Sequence, residues 1–204
     1  MLDETALRTS LDTVATREPA IAALIEQFGY PQSRQRERGY ETLLRTIVGQ
    51  QVSVAAAASV WNKLEAALGI GCTPEALLAS DYDALRACGL SRQKQGYARS
   101  LAELVTSGEL DLDALPADDE EAIETLVRIK GIGRWSAEIY LLFAEGRADI
   151  WPAGDLAVQI SLGRILGLGE RPSEKLTREL AEPWRPHRSA MAIMTWHHYN
   201  TKVL

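Results

Sequence analysis

Leu126-Val127-Arg128-Ile129-Lys130-Gly131-Ile132-Gly133-Arg134-Trp135-Ser136-Ala137 is the stretch on which the fold turns. Apolar residues recur at helical spacing on both sides of Gly131-Ile132-Gly133, so the run reads as two helices joined by a tight turn. Gly131 and Gly133 permit positive φ and close backbone approach. Ile132 between them can anchor the turn. The first N–H groups of the second helix then point outward unpaired, and the helix dipole adds to their attraction for an anion. Lys130 and Arg134 bracket that site with positive charge. A plain helix–helix turn capped by glycine would use the same Gly-x-Gly. The apolar helix before it, the basic flanks and the tryptophan after it favour phosphate binding.

Outward from this turn, helical periodicity dominates and no stretch alternates convincingly like a strand. Helices are expected over about 3–15, 18–28, 40–48 and 53–68, with Ser53 a plausible cap of the last. Short helices follow Thr73-Pro74 and Asp81, and Ser91 caps one reaching about Thr106. An acidic loop over 107–118 precedes helices at about 119–129 and 134–145. Asp155 opens another ending near Gly167, and two last helices cover about 173–182 and 187–201. Roughly ten helices with short connections indicate an all-α protein.

Composition narrows the function classes. The 204 residues carry a net charge of -6, which disfavours a nonspecific, whole-surface nucleic-acid binder and requires any such contact to be local. Cys72 and Cys88 form no Cys-x-x-Cys pair, so a four-thiolate zinc site or iron–sulfur cluster is excluded. They are expected as small buried thiols. His197 and His198 are adjacent and face different ways on a helix, so no metal site is expected there. No apolar run reaches membrane-spanning length. The acidic start Met1-Leu2-Asp3-Glu4 lacks the pattern of a secretory leader, so a cytoplasmic location is expected, nucleoid-associated in a bacterium.

Two further stretches matter: Ile47-Val48-Gly49-Gln50-Gln51-Val52-Ser53 and Gly89-Leu90-Ser91-Arg92-Gln93-Lys94. Together with the turn, the loop from Gly146 to Gly154 and the aspartate that follows it, they make the chain resemble the helix-hairpin-helix DNA glycosylases. The resemblance runs over about residues 39–200 and is closest to the DNA-3-methyladenine glycosylase II group. It implies a two-lobed helical fold with the active cleft between lobes. Lobe one would be about 1–69 plus 151–204, and lobe two about 70–150 with the hairpin at 129–133.

The resemblance also implies roles. Asp155 matches the catalytic aspartate; from position alone it is a favoured N-cap, where amide donors and the dipole favour the anion. Cleaving an N-glycosidic bond develops positive charge on the sugar, which a fixed carboxylate stabilises while it orients water. Gln51 matches the residue that fills the gap left by a flipped base. Lys130, Gly131, Gly133 and Arg134 would grip phosphates. Trp135 and Trp196 match aromatic positions of the base pocket, with Ile139 one turn beyond Trp135. Five tryptophans against two phenylalanines suit selection of cationic, alkylated purines through π faces.

Relatives that also nick the backbone carry a lysine two residues after the second glycine, where this chain has Trp135. A monofunctional enzyme is therefore expected. It would act as a monomer on damaged double-stranded DNA, with no membrane partner. No cofactor is expected beyond a monovalent ion held by hairpin carbonyls near Arg128 and Lys130. Glycosylases of oxidised, deaminated or mismatched bases, and a noncatalytic DNA-binding module, are the alternatives. The residue before Asp155 is Gly154, where the closest relatives can carry a second acid.

Overall fold

The structure, a computed structural model, describes residues 2–201. Met1 and 202–204, the last of which end the expected first lobe, lie outside it. Among the described residues there are twelve α-helices and no strand, as the all-α reading expected. They are α1 (Glu4–Ala15), α2 (Pro19–Phe28), α3 (Tyr40–Gly49), α4 (Val54–Leu68), α5 (Pro74–Ala79), α6 (Tyr82–Ala87), α7 (Arg92–Thr106) and α8 (Asp119–Val127). After the hairpin come α9 (Arg134–Phe143), α10 (Leu156–Ile165), α11 (Glu174–Leu180), a 3₁₀ turn at Glu182–Trp184 and α12 (Arg188–Thr201).

Capping explains most of the boundaries. Ser53, Thr73, Asp81, Ser91 and Ser173 each accept the N–H three residues on, which satisfies one orphan donor per helix. Asp118 accepts two such bonds at the start of α8.

The chain forms two compact units, Met1–Gln35 with Glu138–Leu204, and Arg36–Ala137. The division differs from the expected lobes, which put α3 and α4 with the terminal helices and residues 138–150 with the hairpin. The reason is packing. Leu43, Leu44 and Ile47 of α3 are fully buried, and α3 packs against α7 and α4 inside the second unit. In that unit α7 also packs against α5 and α6 and buries Ala98, Leu101 and Ala102. Cys72 and Cys88 are free and buried there, and burial pushes the Cys72 thiol up to about 11.

In the first unit α12 is the central element. Residues 188–195 are buried without interruption, so every face of its first two turns is covered. It packs against α10, α1 and α2. A polar clamp ties its start to the loop that ends in Asp155. Arg188 is 7% exposed; its Nε donates to Asp149 Oδ1 at 2.9 Å and its Nη2 to Oδ2 at 3.0 Å. Arg188 Nη1 reaches Glu182 at 2.9 Å. Ser189 Oγ donates to the Arg147 carbonyl at 2.6 Å and accepts from the Ile150 N–H at 2.8 Å.

Removing Asp149 takes from the buried Arg188 guanidinium its bidentate partner and leaves it the exposed Glu182 as its charged partner. Asp149→Ala should therefore destabilise the protein by about 3 kcal/mol, read from denaturant midpoints at constant m. A loss below about 0.5 kcal/mol, the range of neutral surface changes, would show that this clamp carries no stability.

Candidate active site

In the second unit the hairpin has the expected construction, with one amendment. Ile132 is 3% exposed and anchors the turn. Gly131 has φ +83°, and a Cβ there would collide with the ring of Tyr97 on α7. Glycine is required at 131 on both counts. Gly133 has no positive φ, and a Cβ built there meets nothing within 4 Å, so the fold itself does not demand glycine. Its exposed backbone is open to a close partner. Lys130 is exposed, while its own N–H donates to Ser100 Oγ at 3.2 Å. Arg134 bonds Glu120 at 2.6 Å, and Arg128 bonds Glu109 at 3.2 Å. Trp135 is 48% exposed, a large exposure for an indole.

Gln51 is exposed and sits at φ +55°, in the left-handed region that side chains rarely adopt. Its neighbour Gln50 donates from Nε2 to the Gly131 carbonyl at 2.7 Å. Lys94 Nζ donates to the Val48 carbonyl at 2.7 Å, and partial burial lowers its pKa. The turn after α3 is thus held from the hairpin and from α7.

In the first unit Asp155 caps α10. Its Oδ1 accepts from Ala157 N at 2.9 Å and Val158 N at 3.0 Å. Asp118 has the same two amide donors, so capping alone does not mark Asp155. A further donor reaches the same oxygen from a distant element, Trp196 Nε1 on α12 at 3.1 Å. Trp196 is half-buried and stacks on Phe143 with 5.6 Å between ring centroids. The chain leading to Asp155 is fixed as well. Buried Gln159, one turn along α10, donates to the Ala153 carbonyl at 2.8 Å, and Arg171 holds the Gln159 Oε1 at 2.7 Å. Trp151 Nε1 donates to the Thr177 carbonyl at 2.9 Å. At Gly154 a Cβ would stand 3.4 Å from Glu174 Oε2, so a second acid there would face a carboxylate.

Of the residues singled out in the sequence, Asp155, Trp196 and half-buried Ile139 belong to the first unit. Gln51, Lys130, Gly131, Gly133, Arg134 and Trp135 belong to the second. The structure joins Trp196 directly to Asp155. Gln50, Lys94, Tyr97 and Gln159 were not singled out. Gln159 has a helical spacing from Asp155 that was visible, but its partner Arg171 lies in another element. Among the described residues no group of three or more His, Cys, Asp and Glu is placed to hold a metal, and His198 is instead bonded to Ser161.

Residues 44–186 match the family described as HhH-GPD superfamily base excision DNA repair protein. The chain belongs to this superfamily. Its match to DNA-3-methyladenine glycosylase 1 of Schizosaccharomyces pombe is 32% identical over 180 residues, 86% of this chain and 79% of that protein. DNA-3-methyladenine glycosylase 2 of Escherichia coli is 30% identical over 78% of this chain, which spans 57% of that protein. A DNA-3-methyladenine glycosidase from Bacillus halodurans superposes with a TM-score of 0.88 at 31% identity, covering 95% of this chain and 90% of that one. The S. pombe 3-methyladenine DNA glycosylase solved with abasic DNA gives 0.78 at 30% identity, covering 96% and 97%.

The two hairpin glycines of this superfamily member make separable demands. Gly131→Ala should cost about 2 kcal/mol of stability from the left-handed backbone alone. Gly133→Ala should leave the unfolding midpoint unchanged yet weaken duplex binding, because its methyl would meet an approaching phosphate. Unaltered duplex affinity of the folded Gly133 variant would remove the hairpin backbone from DNA contact.

Proposed function

We propose that the chain is a monofunctional DNA glycosylase that hydrolyses the N-glycosidic bond of alkylated purines, 3-methyladenine and 7-methylguanine among them, in double-stranded DNA. It acts as a monomer in the cytoplasm. The observation that carries the reading is the Asp155 carboxylate, fixed by three N–H donors at a helix start in a member of a base excision repair superfamily. The names of the relatives support the substrate class.

The chemistry follows from that carboxylate. The damaged nucleotide leaves the stack, and Gln51 takes its place. As the C1′–N bond lengthens, its electrons go to the base and positive charge grows on the sugar. Asp155 faces that charge without reorganising, since its orientation is set beforehand. Water, oriented by the same group, bonds to C1′ and passes a proton to the Asp155 carboxylate, which leaves an abasic site. Methylation makes the purine cationic, so the base departs neutral. No lysine amine stands two residues after Gly133, so water is the nucleophile. A monovalent ion at the hairpin would be held by backbone carbonyl oxygens near Arg128 and Lys130, donors that suit such a cation, and would add positive charge toward a phosphate.

Asp155→Asn keeps an oxygen for the cap and for Trp196 but removes the charge. Single-turnover base release should fall by roughly 10²-fold or more while duplex binding persists. Borohydride should trap no protein–DNA adduct with either form. Near-normal release by the variant would exclude Asp155 from the mechanism, and a trapped adduct would overturn the monofunctional assignment.

The two tryptophans should separate in the same assay. Trp196→Phe keeps the ring on Phe143 but loses the N–H to Asp155, a charged hydrogen bond worth roughly 10-fold or more. The loss should be equal on cationic 7-methylguanine and neutral hypoxanthine. Trp135→Leu should lose up to roughly 30-fold on the cationic base and much less on the neutral one. A loss at Trp196 confined to the cationic base would instead assign that indole to charge recognition by its face.

A further inference from the structure

We infer that Gln50 is a positioning residue that couples the gap-filling turn to the phosphate-binding hairpin, so that gripping the strand and filling the gap happen in one fixed register. The inference rests on the proposed roles of Gln51 and the hairpin.

Three observations converge on this coupling. Gln50 spans 81 residues of sequence to donate to the Gly131 carbonyl at 2.7 Å. That carbonyl belongs to the one residue of the hairpin whose backbone has no rotational freedom to spare, with φ +83° and the Tyr97 ring against its Cα. On the other side, Gln50 is the C-cap of α3, at φ -60° and ψ 129°, and the next residue is Gln51 in the left-handed region. Only residues 50–53 separate α3 from α4, and Ser53 already caps α4. A turn this short transmits any rotation at Gln50 directly to the side chain of Gln51. A non-glycine residue in a sparsely populated backbone region persists only when its surroundings over-determine it.

The surroundings that do so are visible. Lys94 holds the Val48 carbonyl at 2.7 Å, two residues before Gln50. Tyr97, three residues further along the same face of α7, packs on Gly131. Ser100, three residues on again, accepts the Lys130 N–H at 3.2 Å. One edge of α7 thus carries both loops, and Gln50 closes the circuit between them. The amide is suited to this because its N–H reaches the carbonyl while its charge stays neutral beside a strand of phosphates. Asp155 makes its own hydrogen bonds within the other unit, to Ala157, Val158 and Trp196, and none of them involves Gln50.

A double-mutant cycle on the full chain tests the coupling. Gln51→Ala, Gln50→Met and the pair are compared by single-turnover release of 7-methylguanine, by fluorescence of a 2-aminopurine beside the lesion, and by unfolding midpoint. Methionine keeps the length and volume of glutamine without the donor. If Gln50 positions Gln51, Gln51→Ala should cost about 10-fold in the wild-type background and about 2-fold or less beside Gln50→Met, a difference of the size one hydrogen bond controls. Gln50→Lys, which keeps an N–H donor, should restore the sensitivity to Gln51→Ala. An equal cost of Gln51→Ala in both backgrounds overturns the coupling and leaves the gap-filling role standing. No cost of Gln51→Ala in the wild-type background overturns the gap-filling role and the coupling with it. Should Gln50→Met not fold, Gln50→Ala, which also removes the donor and adds no charge, takes its place with the same expected outcomes.

Discussion

One carboxylate oxygen, Asp155 Oδ1, accepts hydrogen bonds from two helix-start amides and one indole N–H. A carboxylate that is partly withdrawn from water must recover its lost hydration from fixed donors. The first unit is arranged to supply them. α10 offers its first N–H groups, and α12, whose first two turns are covered on every side, carries Trp196 to the carboxylate. The loop between α9 and α10 is pinned at Arg147, Asp149 and Ile150 by the start of α12, and at Ala153 by Gln159. The direction of the carboxylate is therefore decided before any substrate arrives. Preorganisation of that kind lets a charge stabilise a developing cation without first turning toward it.

The second unit carries the hairpin and its basic flanks, the proposed phosphate site, in a chain of net charge -6. Two of its hairpin cations are partnered at rest: Glu120 holds Arg134, and Glu109 holds Arg128. Exposed pairs of this sort contribute little to stability, so exchanging a carboxylate for a phosphate oxygen costs the fold little. An acidic protein can in this way keep a local anion-binding edge. The edge is also rigid, because Tyr97, Ser100 and Gln50 fix the hairpin from behind.

Much of this was legible in the residues. The helices, their caps at Ser53, Thr73, Asp81 and Ser91, and the acidic loop before α8 follow from local rules, because capping and periodicity involve partners only a few residues apart. The same locality explains why Ile132 could be named as the turn's anchor and Asp155 as a helix cap. Gly133 shows the limit of such reasoning. Paired with Gly131 in the sequence, it looked like a second backbone requirement, yet only Gly131 has the positive φ and the close neighbour.

The compact units divide the chain elsewhere than the expected lobes for a related reason. Helical spacing over 40–48 does not say which helix α3 packs against, and its neighbour α7 begins more than 40 residues further along the chain. Trp196 illustrates the same gap at the site itself. As a sequence residue it was an aromatic surface for a base; in the fold its N–H, 41 residues from Asp155, donates to the carboxylate. By itself the sequence determined the all-α class, the hairpin and the capping aspartate at 155, since each is encoded within a turn or two of chain. The tertiary structure alone decided the partners of Asp155, the bridge from Gln50 to Gly131 and the membership of the two units, since hydrogen bonds and packing between distant segments leave no periodic trace in the residues that make them.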